Sequence, residues 1–125
     1  VGRNRQSAKK AGTAFETLIA TALRDALGDS SIQRAPRWGA EDKGDVVNFK
    51  ICDRQIVIQA KDVARIDLPG WTAAAKVQCV NAGATAGIVI HKRRGTTDPM
   101  RQWVTCTVAE LVALATGVRH DEGND

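Results

Sequence analysis

Gln55-Ile56-Val57-Ile58-Gln59-Ala60-Lys61 is the stretch on which the fold turns. It is rich in β-branched residues, and Cys52-Asp53-Arg54 separates it from a second run of the same kind, Asp45-Val46-Val47-Asn48-Phe49. Two such runs around a short polar break predict a hairpin. Antiparallel pairing brings Asp45 to the same end as Gln59 and Lys61. Alternation along the second run sends Ile56, Ile58 and Ala60 to one face and Val57, Gln59 and Lys61 to the other. A lysine in a central strand is costly to bury without a carboxylate beside it, and Asp45 is the natural partner. The competing reading is an edge strand with one solvated face.

Upstream, Phe15, Leu18, Ile19, Ala22, Leu23, Ala26 and Leu27 follow the spacing of an amphipathic helix that stops at Gly28. Glu16 stands in register with Ile19, Leu23 and Leu27, on the border of the apolar stripe. Residues 32–37 read as an edge strand closed by Pro36, and residues 38–44 as a polar loop. Downstream, Pro69-Gly70 marks a turn before an alanine-rich helix over 71–81 that ends at Gly83. Residues 86–91 read as a buried strand, Lys92-Arg93-Arg94-Gly95 as a basic loop and 103–106 as a further strand. Thr107 caps a last helix over 108–115, with Glu110 placed as its capping-box partner and Gly117 as its stop. Helix, three strands, helix, two strands and helix make an α/β sandwich, and the strand–helix–strand passage requires a mixed sheet.

The chain has 125 residues, 18 lysines and arginines against 14 acids, and a net charge of +4. That length fits one domain over 1–120, followed by an acidic tail over 121–125 expected to be frayed. Three of the acids sit in that tail, so the domain itself is more basic than the total implies. No apolar run reaches membrane-helix length, and the charged N-terminus lacks a signal-peptide core, which predicts no membrane partner and a cytoplasmic protein. Cys52, Cys79 and Cys106 include no C-x-x-C pair, so they are expected as reduced thiols packed as small apolar groups. Phosphate-loop, serine-elbow and H-E-x-x-H motifs do not occur, which disfavours nucleotide hydrolysis, serine esterase and zinc protease chemistry.

Taken together, Glu16, Asp45, the Gln59 amide and the Ala60 carbonyl offer an oxygen-rich cage for a hard cation such as Mg²⁺ or Mn²⁺. Arg3, Arg5, Lys9, Lys10, Lys92, Arg93, Arg94 and Arg101 fall in two segments with Asp98 as their one acid, a pattern suited to phosphate contacts or to a solvated face. Trp38 is the aromatic residue read as a DNA contact, whereas Trp71 and Trp103 read as core or dimer contacts. Lys76 and Gln78 read as helix-surface polar residues, the alternative being that they reach the pocket or a phosphate; His91 and His120 lack a partner pattern for a nucleophile or metal site, and a phosphate contact stays open for His91 beside the basic loop.

Gly44-Asp45, followed 14 positions after Asp45 by Gln59-Ala60-Lys61 on a strand, with Glu16 on the preceding helix, resembles the active-site signature of the PD-(D/E)xK nuclease superfamily. Within it the layout is most similar to the small Holliday-junction resolvases of archaea and phages. The likeness runs from about Arg3 to Thr107 and is sharpest between Gly39 and Lys61. Gln59 stands where most members carry glutamate or aspartate, as in some restriction-type members. This change removes one ligand charge and implies weaker Mg²⁺ binding.

The resemblance implies a restriction-endonuclease-like α/β/α sandwich with a central mixed β-sheet. It further implies a metal held by Glu16, Asp45, Gln59 and Ala60, a water oriented or deprotonated by Lys61, and products with a 5′-phosphate and a 3′-hydroxyl. The expected substrate is DNA with a four-way junction, cut by a homodimer in a bacterial, archaeal or phage-infected cell. Two alternatives stay open: a restriction- or repair-type nuclease acting on linear or damaged duplex, and a DNA-binding module weakened in catalysis.

Overall fold

A computed structural model describes residues 3–120; the expected acidic tail over 121–125 lies outside them. The order is α1 (Arg5–Leu27), β1 (Gln33–Arg34), β2 (Val46–Val47), β3 (Lys50–Ile51), β4 (Arg54–Lys61), α2 (Leu68–Ala82), β5 (Ala86–His91), a 3₁₀ turn (Pro99–Arg101), β6 (Trp103–Thr105) and α3 (Val108–Thr116). The strands lie in the order β1-β2-β4-β5-β6, with β3 folded back on β4. β4 and β5 are parallel and the other pairs antiparallel, so the chain is an α/β protein with a mixed sheet and three flanking helices.

The core forms on both faces of β4 and β5. Ile56, Ile58 and Ala60 join Ile88 and Ile90 against Phe15, Ile19 and Ala20 of α1 and Ala113 of α3. Val57 packs with Cys79 of α2, and Val89 with Trp71 and Ala75. The expected alternation of β4 is therefore what assigns α1 to one face and α2 to the other. β4 is central and buried along most of its length, which removes the edge-strand reading. Gly87 is obligatory where α2 meets β5, because a Cβ there would lie 2.9 Å from Cys79 Sγ and 3.0 Å from the Ala75 carbonyl oxygen.

Several local expectations are corrected. Helix α1 starts at Arg5, ten residues before the apolar spacing that begins at Phe15, where the Asn4 side chain accepts from the Ser7 N–H at 2.8 Å, so Arg5, Lys9 and Lys10 are on the helix. The first hairpin strand splits at Asn48 (φ 68°), and Cys52 and Asp53 turn the chain with φ of 51° and 64°. Both values suit a two-residue hairpin turn. Cys52 is consequently exposed at that turn rather than packed, whereas Cys79 is buried and Cys106 half-buried. Glu110 closes no capping box. Thr107 caps α3 through the Glu110 N–H, while the Glu110 carboxylate accepts from the Gly87 N–H at 2.8 Å and pairs with Arg119. Among the described residues no helix is long and apolar enough to cross a membrane.

Candidate active site

Gly44 and Asp45 lie where β2 leaves β4. Gly44 has φ of +104°, and a Cβ there would stand 3.0 Å from both the Ile58 carbonyl oxygen and Val57 Cγ1, so only glycine fits without displacing β4. The Asp45 N–H donates to the Ile58 carbonyl at 2.8 Å, and Asp45 Oδ2 accepts from the Ala60 N–H at 2.8 Å. The hairpin thus sets the Asp45 carboxylate against the last turn of β4, as its sequence spacing predicts. In a strand the N–H and C=O of one residue point to the same neighbour. The Ala60 carbonyl therefore opens toward the Asp45 side, while the Lys61 carbonyl accepts from the N–H of Lys92, the residue after β5, at 3.0 Å.

Glu16 approaches from α1. It shares with Asp45 and Asp42 a cleft of about 450 Å³, bordered also by Lys9, Arg34 and Trp38. Arg34 Nη1 lies 3.8 Å from Glu16 Oε1, a loose pair that the sequence did not reveal. Burial is the main reason both carboxyls titrate above their ordinary range. For Glu16 the Asp45 charge adds to that rise, opposed by Arg34 and Lys61. For Asp45 the Ala60 N–H and Lys61 oppose the rise, and Asp42 adds to it. Crowded, half-desolvated carboxylates facing one cleft carry a standing cost that a cation would relieve.

Gln59 and Lys61 leave β4 on the face of Val57, toward α2, and neither borders the cleft. Lys61 is half-buried, with its charge felt by both Glu16 and Asp45. Gln59 is 5% exposed and its Oε1 has no hydrogen-bond partner, an orphaned acceptor of the kind that a cation or a water satisfies. Among the described residues no three His, Cys, Asp or Glu side chains form a cation cage. The oxygen donors beside the cleft, the Glu16 and Asp45 carboxylates and the Ala60 carbonyl, are of the type a hard cation takes, whereas the Gln59 amide lies outside the cleft.

The loop over 38–44 is fastened rather than free. Trp38 Nε1 donates to the Gly44 carbonyl at 2.7 Å, and Lys43 Nζ lies 5.6 Å from the Trp38 ring centroid. Asp42 Oδ1 accepts from the Gly44 N–H at 2.9 Å and its Oδ2 from Gln78 Nε2 at 3.0 Å, while Asn81 Nδ2 donates to the Asp42 carbonyl at 2.9 Å. Gln78 is buried, contrary to its reading as a surface residue, and ties α2 to the loop that presents Asp45. Trp38 borders the cleft, but its N–H is spent on Gly44, so the ring alone faces outward. Lys76 is exposed, as expected.

His91 is buried, its Nε2 2.8 Å from Thr105 Oγ1 and its ring 5.4 Å from Trp71, and burial pushes its pKa down. Of the basic residues, Arg5, Lys9, Lys10, Arg94 and Arg101 are exposed. Arg3 is paired with Asp62 at 3.3 Å. Trp103, expected as a core or dimer contact, is 47% exposed, with the Arg93 guanidinium 4.4 Å from its ring centroid. No family model, curated protein or solved structure matches the chain.

Proposed function

We propose that this chain is a metal-dependent, structure-selective DNA endonuclease of the PD-(D/E)xK type, similar to the Holliday-junction resolvases. The observation that carries this reading is the Asp45 carboxylate, anchored on the Ala60 N–H, facing a shared cleft with Glu16 and within the field of Lys61. When bound, Mg²⁺ or Mn²⁺ supplies Lewis-acid polarisation of the scissile phosphate and a more acidic attacking water. Asp45, Glu16 and the Ala60 carbonyl are the groups beside the cleft that would hold it, and the Gln59 amide would have to reach it from the α2 face. Lys61 orients the water and offsets charge developing on the phosphate oxygens. Water adds to phosphorus as the P–O3′ bond breaks, which leaves a 5′-phosphate and a 3′-hydroxyl.

Symmetric cuts across a junction need two such sites, so the acting species is a homodimer. With DNA as its substrate, its place of work is the cytoplasm of a bacterial, archaeal or phage-infected cell. The test is cleavage of a four-way junction and of a linear duplex of matched sequence with Mg²⁺ or Mn²⁺. Junction cleavage that disappears in Asp45→Ala and Lys61→Ala supports the reading; full rates in both variants overturn it. Faster cleavage of the linear duplex favours a restriction- or repair-type enzyme instead.

A second reading, a DNA-binding module weakened in catalysis, is favoured by the neutral, buried Gln59 amide lying outside the cleft. Cleavage that rises sharply in Gln59→Glu, with unchanged DNA affinity, selects it.

A further inference from the structure

A second cavity, of about 720 Å³, opens beyond the C-terminal ends of β4 and β5. Lys61 and His91 are register partners there, and the next residues along each strand, Asp62 and Lys92, both line it. Ala8 lines this cavity while Lys9 lines the cleft of Glu16 and Asp45, so the first turns of α1 form the wall between the two.

The cavity combines an apolar floor with a cationic rim. Val63 is 45% and Ile66 62% exposed, and the half-open Trp103 indole is stacked with Arg93. Its one acid, Asp62, is already paired with Arg3. Lys92 Nζ donates to the Thr96 carbonyl at 3.0 Å and Arg94 Nη2 to the Ala64 carbonyl at 3.2 Å. These neutral acceptors fix the two cations without cancelling their charge, and neither they nor Arg93 enter an ion pair among the described residues.

A half-exposed indole already stacked with an arginine plane offers a stack that a base can extend, and the surrounding cations suit the phosphates on either side of it. In an intact duplex the bases are stacked on one another and cannot enter. We propose that this cavity binds an unpaired nucleobase of single-stranded DNA, a proposal that rests on reading the protein as acting on DNA and narrows the substrate to strands with unpaired nucleotides beside the cut.

The test is equilibrium binding of a labelled oligothymidine of about a dozen nucleotides, and of a blunt duplex of equal length, without divalent metal so that cleavage plays no part. Trp103→Ala is expected to weaken single-strand binding about tenfold while changing duplex binding less than twofold, and Trp103→Phe to restore most of the loss. Unchanged single-strand affinity in Trp103→Ala, or equal loss on both probes, overturns the proposal. So does a fall in dimer mass with single-strand affinity intact, which assigns the groove to a second copy of the chain. Single-strand selectivity in a protein that cuts no junction upholds this site while removing the nuclease reading; junction cleavage with no effect of Trp103→Ala does the reverse.

Discussion

On one side of the first turns of α1, Glu16, Asp42 and Asp45 bring three carboxylates to a cleft whose only ion pair among the described residues is the loose contact to Arg34. On the other, Lys92, Arg93 and Arg94 surround an open indole and lean on main-chain carbonyls or on the ring itself. The first region stores repulsion in partly desolvated groups. The second spreads its charge where water screens it. On the proposed function, the half-buried anionic cleft would gain from a cation and the exposed cationic rim from phosphates, so the two together would serve a single polyanionic substrate carrying its metal.

The sharpest way to break that comparison is at its chemical end: Asp45→Ala or Lys61→Ala should each lower junction cleavage by about 10²- to 10⁴-fold, read from single-turnover rates. Next comes a control carboxylate outside both regions. Glu110, buried and paired with Arg119 and the Gly87 N–H, is purely structural here, so Glu110→Ala should cost about 3–5 kcal/mol in urea unfolding. A loss below 1 kcal/mol would show that burial and pairing do not separate structural from functional carboxylates in this fold.

On the cationic side, replacing Arg93 and Arg94 together by alanine should lower the slope of log affinity against log salt by about 2. An unchanged slope would take both arginines out of phosphate contact.

The smallest expected effect concerns the cost stored in the cleft. Asp45 has its pKa raised above 3.8 in the folded protein, so between 3.8 and that higher value the native state holds more protons than the unfolded chain. Stability from this group is full below 3.8 and is lost as pH rises through the folded pKa. Asp45→Asn keeps an acceptor for the Ala60 N–H and removes the charge. It should therefore be more stable than the metal-free wild type by about 1 kcal/mol at neutral pH, with the gap closing toward pH 4. Added Mg²⁺ should raise the melting temperature of wild type but not of Asp45→Asn.

Much of this was legible from the chain. The β-branched run of β4, the glycine stops of all three helices and the pairing that brings Asp45 beside Ala60 all follow from local periodicity and turn chemistry. Glu16 was legible because helical spacing put it on the edge of a buried stripe. Gln78 was not, since a polar residue on an alanine-rich helix reads as solvent-facing until the loop carrying Asp42 is seen to fold over it. Glu110 was misread for a related reason: a capping box is a local option, and the Gly87 N–H and Arg119 claim the carboxylate from other parts of the chain.

The sequence by itself determined the three helices, the central β4 and β5 strands, the two faces of β4 and the approach of Asp45 to its end, because periods of 2 and 3.6 and the conformational needs of glycine act over a few residues. Only the tertiary structure decided that Gln59 would be buried toward α2 with an unsatisfied oxygen, that Trp38 would spend its N–H on Gly44, and that Trp103 would stand open beside Arg93. Those outcomes depend on which distant groups fill the space around each side chain, and no local pattern encodes the partner that arrives from across the sheet.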